Sequence, residues 1–254
     1  MGEPVYISCC SFGKDSIATI LLAIEHGEPL DVVVYSEVMF DLANNVSGEN
    51  PEHVAWIYGT AIPKLEQMGV CVQVLRANRD YKYYFTEAVV KKGPRTGKHP
   101  GFALGGMCMV NRDLKLRPMA KFKKTLGDRK IIEYIGIAAD EPKRLARLTE
   151  GKVSLLAKYG YTEKMAYSKC EENGLLSPIY GSYKRNGCWF CPNARLREYI
   201  NTRANYPELW GGLRELSHAP NLCTYGFKYG KTLQEIEKQM DEIEAAEKCM
   251  LYLF

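Results

Sequence analysis

The sequence predicts an α/β fold, a parallel sheet followed by a helical, cysteine-bearing C-terminal part. Three observations predict it. Apolar, β-branched runs stand at residues 5–10, 30–36, 70–75 and 131–137. Helical patterns separate the first three runs, and a strand, helix, strand succession implies parallel neighbours joined by a right-handed crossover. Beyond residue 160 the strand pattern gives way to helical periodicity with a Cys-x-x-Cys pair. We therefore expect one region over 1–150 and a second over 151–254.

The first strand runs straight into Ser11-Phe12-Gly13-Lys14-Asp15-Ser16, and a helical pattern begins at Ile17. Gly13 lets the backbone turn and approach a ligand closely. The helix then aims its unpaired N–H groups and positive dipole end at the loop, which suits phosphate. Ser11 and Ser16 add hydroxyls and Lys14 a cation. The loop is neither a Walker loop nor a Gly-x-Gly-x-x-Gly dinucleotide turn.

The helix stops at Glu25-His26-Gly27-Glu28-Pro29, and the 30–36 run reads as a buried strand. Ligands of open α/β sheets sit beyond the carboxyl ends of strands. Glu37 and Asp41 fall there, as binders of ribose hydroxyls or metal, or as loop carboxylates in water. Asn50-Pro51 opens a helix reaching Gly69. His53 reads as a surface residue at its start. The third strand, 70–75, carries Cys71, which reads as a small buried hydrophobe.

From Arg76 to Gly106 the periodicity dissolves into tyrosines, glycines and cations. Between Arg76 and Lys130 there are fifteen Lys or Arg against four Asp or Glu, in a chain whose net charge is +4. Such a stretch is a footprint for an anionic partner, tRNA or DNA included, or else a solvated basic face. The strand at 131–137 leads to Asp140, Glu141 and Arg144, again at a carboxyl end. A helix follows over 162–174 and carries Cys170. The remainder is helical, with a break expected at Trp210-Gly211-Gly212 and an acidic last helix from Lys231.

The chain has 254 residues, 46% of them hydrophobic, and no run of 18 apolar residues, so no membrane span is expected. The start lacks a secretory pattern, and Tyr6 breaks the myristoylation motif, so we expect a cytoplasmic protein. Nine cysteines then point to metal or redox chemistry rather than a disulfide framework. Cys188 and Cys191 have the spacing of a zinc site, an iron–sulfur cluster or a redox dithiol. The natural further ligands are Cys108 and Cys170, with Cys223 and then Cys249 behind them. Cys9 and Cys10 read as packing residues.

Four ordered blocks carry a resemblance to a known family. They are the 11–16 loop; Cys108 with Leu114-Lys115 and Pro118; Gly136-Ile137 with Asp140-Glu141 and Arg144; and Gly187-Cys188-x-x-Cys191-Pro192. Over residues 1–200 the chain resembles the phosphoadenosine phosphosulfate (PAPS) reductase family of adenine nucleotide α-hydrolase-like proteins, and 11–16 looks like its PP-loop. The resemblance implies a Rossmann-like sheet and ATP or PAPS as ligand, held by Ser11, Phe12, Gly13, Lys14, Asp15, Ser16, Glu37, Lys115, Arg117 and Arg144. It implies catalytic roles for Lys14, Asp15 and Asp140. It also implies an iron–sulfur cluster, 4Fe–4S in type, on Cys108, Cys170, Cys188 and Cys191, with zinc as the alternative metal. Mg2+ beside the nucleotide and a homodimer are compatible with it.

Two departures shape the functional expectation. The C-terminal Glu-Cys-Gly-Leu-His motif of thiol-dependent PAPS reductases is missing, since Met250-Leu251-Tyr252 follow Cys249. Cluster-bearing adenosine phosphosulfate reductases carry a Cys-Cys pair where this chain has Cys108 alone. The chain looks more like the family's side branches in DNA phosphorothioation, phage and tRNA thiolation. We expect adenine-nucleotide-dependent sulfur chemistry. The rivals are a reductase that releases sulfite and a zinc-stabilised nucleic-acid-binding module.

Overall fold

Strand β1 (Val5–Cys10) is the middle of the sheet because its side chains are covered on both faces. The computed structural model describes residues 2–103, 108–184 and 186–251, apart from the side chains of 249–251. The chain divides into two units of three segments each: 1–37, 49–77 and 115–186 in the first, and 38–48, 78–114 and 187–254 in the second.

The first unit is α/β. Helix α1 (Lys14–Glu25) follows β1 and is apolar on nearly every side, with Ile17, Ile20 and Leu22 fully buried. Strand β2 (Val32–Glu37) pairs parallel to β1, with Cys10 opposite Tyr35. Helix α2 (Pro51–Trp56) passes through a wider turn at Ile57–Ala61 into α3 (Ile62–Gln67). Pro63 lacks the N–H that would bond four residues back, and the helix widens just before it. Strand β3 (Val72–Arg76) then pairs with β2, and after α4 (Arg117–Thr125) the chain returns to the other side of β1 as β4 (Ile131–Tyr134). A short edge strand, β5 (Lys152–Val153), completes the order β3-β2-β1-β4-β5, parallel throughout and compatible with a Rossmann-like fold. Helices α5 (Leu155–Lys158) and α6 (Glu163–Glu172) pack on α1.

These last elements move the expected boundary. The sheet unit does not stop at 150, because β5, α5 and α6 complete its sheet and core, and it continues to Asn186. Two residues are too few to show a strand period, so β5 escapes sequence reading. Cys71 is exposed rather than buried. It directly precedes β3, outside the strand it was expected to join.

The second unit has an aromatic core. Phe190 stacks on Tyr81 at 3.9 Å between centroids, and Phe40 packs on Trp189 and Phe190. Helices at Leu196–Asn205, Pro207–Ser217 and Leu233–Leu251 and a hairpin pairing Gly226–Lys228 with Lys231–Thr232 surround Trp210 and Phe227. The expected break at 210–212 does not occur. Trp210 is buried against Tyr199, and a Cβ on Gly212 would come within 3.3 Å of the Phe40 ring. The glycine lets the helix lie close to that ring rather than ending it. Among the described residues no helix is long and apolar enough to cross a membrane.

Candidate functional site

The 11–16 loop leaves the carboxyl end of β1, the strand from which the sheet is built outward in both directions. The chain first proceeds to β2 and β3, then crosses back to β4. That reversal puts a crevice between the ends of β1 and β4, where ligands of open α/β sheets bind. A cleft of about 270 Å³ lies there. Ser11, Gly13, Asp15 and Ser16 line it from the β1 side, and Ile135, Gly136 and Arg144 from the β4 side. Cys9, Tyr180 and Asn186 complete the wall.

The loop is held rigidly. Phe12 has a φ of 56°, an unusual conformation for a bulky residue, and its fully buried ring meets Tyr35 and Trp56 edge-on. Phe12 therefore anchors the loop in the core rather than facing the cleft. Its N–H donates to the Cys10 sulfur. The Ser16 hydroxyl donates to the Gly13 carbonyl at 2.9 Å. The Ser11 carbonyl accepts from Asn186 Nδ2 at 2.7 Å and lies 3.3 Å from His53 Nε2.

His53 is fully buried, not the surface residue expected, and stacks on Trp56. Burial lowers its pKa, so the ring is neutral. A carbonyl only accepts, so Nε2 carries the proton, and Nδ1 accepts from the Ser177 hydroxyl at 2.7 Å. His53, Ser177, Tyr180 and Asn186 were not singled out from sequence as site residues; only His53 was noticed. His53, Tyr180 and Asn186 come from 42 to 175 positions away from the loop atoms they hold, Ser177 acts through His53, and no local pattern announces them.

Two glycines are closely approached, one by a side chain and one by backbone. A Cβ on Gly13 would stand 2.8 Å from Asn186 Oδ1. A Cβ on Gly136 would stand 2.8 Å from the Asp15 carbonyl carbon and 2.9 Å from the Ser16 nitrogen. The backbone after β4 thus touches the backbone of the loop, and only a missing side chain allows it.

The charged residues are interlinked. Lys14 Nζ sits 2.8 Å from Asp15 and 2.9 Å from Glu163, and its side chain does not line the cleft, while its N–H donates to the Tyr180 hydroxyl. Desolvation opposes the Lys14 charge, but the two carboxylates prevail and its pKa is raised. Burial raises the Asp15 pKa against the pull of Lys14. Arg144 lines the cleft while paired with Glu141, and Asp140 accepts from the Glu163 N–H at 3.1 Å. Asp140 thereby supports the start of α6.

The structure does not bring every expected residue to this cleft. Glu37 is buried and held by the Tyr58 hydroxyl at 2.7 Å and Arg76 at 2.8 Å. Lys115 pairs with the buried Glu49 at 2.8 Å. Neither Lys115 nor Arg117 is among the cleft-lining residues. Asp41 lies in the second unit, where burial is outweighed by Lys82 and Asn44, and its pKa falls to about 2.

The cysteines separate likewise. Cys170 belongs to the first unit, fully buried, its thiol donating to the Lys14 carbonyl at 3.1 Å; burial raises its pKa to about 12. Cys108, Cys188 and Cys191 belong to the second unit. There the buried Tyr81 hydroxyl has its pKa raised well above normal, by burial first and then by the charges of Cys188, Cys108, Tyr199 and Cys191. The Cys188–Cys191 turn is fixed by its backbone. Trp189 donates its N–H to Gly48 and its indole N–H to Ser47, and Tyr199 donates to the Cys191 carbonyl at 2.5 Å. The Lys228 ammonium caps the carbonyls of Pro192 and Ala194, both at 2.8 Å. Among the described residues, no three His, Cys, Asp or Glu side chains stand in metal-ligand geometry. The Cys249 side chain and Met107 lie outside the described residues.

The sequence matches no family model and no curated protein.

Proposed function

We propose that this chain is an enzyme of adenine-nucleotide-dependent sulfur chemistry, a PAPS reductase-like PP-loop protein with an adenine nucleotide α-hydrolase-like fold. The observation that carries the reading is the cleft at the chain reversal between β1 and β4, walled by Ser11, Gly13, Asp15 and Ser16 on one side and Gly136 and Arg144 on the other. In this reading the pyrophosphate or sulfate end of ATP or PAPS lies on the loop. Ser11 and Ser16 donate their hydroxyls to its oxygens, and the close Gly136 backbone holds the loop in place. Arg144 exchanges Glu141 for the phosphate, and Lys14 supplies charge from behind the loop. Asp15, whose pKa burial raises, is the group there suited to hold a proton or, once ionised, Mg2+.

An iron–sulfur cluster fits the second unit better than the first. Cys108, Cys188 and Cys191 all belong to that unit, whereas the Cys170 thiol is buried and donates to the Lys14 carbonyl. A cluster bound so would supply sulfur or electrons. The Lys228 ammonium, on the carbonyls of Pro192 and Ala194, fixes the chain that leaves the Cys188–Cys191 turn.

Calorimetric titration of anaerobically purified protein with ATP and with PAPS tests the nucleotide half, and iron and acid-labile sulfide analysis tests the cluster half. One nucleotide should bind per chain, with binding lost in Gly13→Val, and iron and sulfide should be found together. A folded protein that binds neither nucleotide overturns the first half, and stoichiometric zinc overturns the second.

A further inference from the structure

The second unit carries a finger that the nucleotide reading does not use. Residues 90–98 fold back on themselves, with the Gly97 N–H donating to the Val90 carbonyl and the Val90 N–H to the Lys98 carbonyl, both at 2.9 Å. Gly93 and Gly97 have φ of 87° and 83°, the left-handed region that such a tight reversal needs. The finger holds Lys91, Lys92, Arg95 and Lys98, all exposed, and residues 88–103 contain no acid. Among the described residues none of these four cations pairs with a carboxylate, whereas Lys82 and Arg112 of the same unit do. A solvated basic face is normally interspersed with acids; this one is not.

The finger is also tied to a second segment. The His99 N–H donates to the Asn221 carbonyl, the Cys223 N–H to the His99 carbonyl at 2.7 Å, and Asn221 Nδ2 to the Gly97 carbonyl. That segment continues into Tyr225 and the hairpin turn at Tyr229, which are 48% and 73% exposed. Tyr229 holds a φ of 49°, and Lys228 lies over its ring at 4.5 Å. Two exposed aromatic rings on a segment tied to the cation-bearing finger suit bases and phosphates together, where a membrane headgroup or an acidic peptide would use the cations alone.

We propose that the 90–98 finger, with Tyr225 and Tyr229, docks single-stranded nucleic acid: Lys91, Lys92, Arg95 and Lys98 take the phosphates and the tyrosines stack on unpaired bases. The site shares no residue with the nucleotide cleft, so a failure of either reading leaves the other standing.

Fluorescence anisotropy with labelled oligothymidylate and oligouridylate of about 15 nucleotides tests it. Both should bind at about 50 mM salt, and tighter binding of one tells DNA from RNA. Replacing the four cations together by Ala should lower the slope of log affinity against log salt by about 2.8, at about 0.7 per lost phosphate contact. Tyr225→Ala and Tyr229→Ala should each weaken binding at least about fivefold, with the salt slope unchanged. All these positions are exposed, and an unchanged melting temperature confirms a folded variant. Three results overturn the proposal: no binding at low salt, wild-type affinity and slope in the fourfold variant, or equal affinity for polyglutamate or phosphatidylserine vesicles with no effect of the tyrosines.

Discussion

Gly136→Ala is the sharpest probe of how the cleft is built. The new Cβ would stand 2.8 Å from the Asp15 carbonyl carbon, 2.9 Å from the Ser16 nitrogen and 3.0 Å from the Asp15 oxygen. All three are backbone atoms at the start of α1, so no rotamer change relieves the clash. The loop or the end of β4 has to move by several tenths of an ångström. Forced overpacking of this kind costs about 1–3 kcal/mol. At about 2–4 °C per kcal/mol for a protein of this size, the melting temperature should fall by about 2–12 °C. The same shift displaces Ser16 and Asp15 from the cleft wall, and ATP or PAPS affinity should drop at least about tenfold, or about 1.4 kcal/mol. Gly59→Ala is the control. Its Cβ meets nothing within 4 Å, and it lies within a helix, so stability should hold or rise slightly. Scanning calorimetry and titration calorimetry on both variants decide the matter. Wild-type melting and affinity in Gly136→Ala would refute the close-contact reasoning.

Three further outcomes follow from the same geometry. Asn186→Ala removes one donor to the Ser11 carbonyl while His53 remains, so melting should change by little and nucleotide affinity should fall about fivefold, in line with about 1 kcal/mol for one hydrogen bond. His53 has a lowered folded pKa, so the unfolded chain binds its proton first; stability is complete above about pH 6.5 and falls as pH drops below it, by at most about 1.4 kcal/mol per unit. Urea unfolding of His53→Gln should lose that limb between about pH 6.5 and 5, and an unchanged pH profile would contradict the neutral, buried ring. Cys170→Ala should keep its iron and lose about 1 kcal/mol of stability from the emptied core site, whereas Cys188→Ala should lose its iron; parallel iron assays and melting curves separate the two.

Periodicity made the central strands and α1 readable, because a buried parallel strand is a continuous apolar run. The loop was readable because a glycine between hydroxyl residues at a strand-to-helix junction has a local backbone reason. What stayed hidden was whatever depends on distant chain. His53 carries no local mark of burial, since only Ser177, 124 positions later, and the Ser11 carbonyl satisfy its ring. Cys170 has the residue type of a metal ligand, and only the fold reveals that its sulfur faces the Lys14 carbonyl. The glycines at 211–212 read as a break because sequence shows their missing side chains and not the Phe40 ring beside them.

The alternation of segments between the two units bears on how the protein is made. The chain contributes to the first, the second, the first, the second, the first and again the second unit as it leaves the ribosome. Strand β1 waits for β4 until residue 134 has been synthesised, and the Ser11 carbonyl waits for Asn186. Neither unit exists as an uninterrupted stretch that could emerge and close early, so the nascent chain exposes apolar strands for most of its synthesis. A protease cut within the 90–98 finger would leave each fragment holding part of both units.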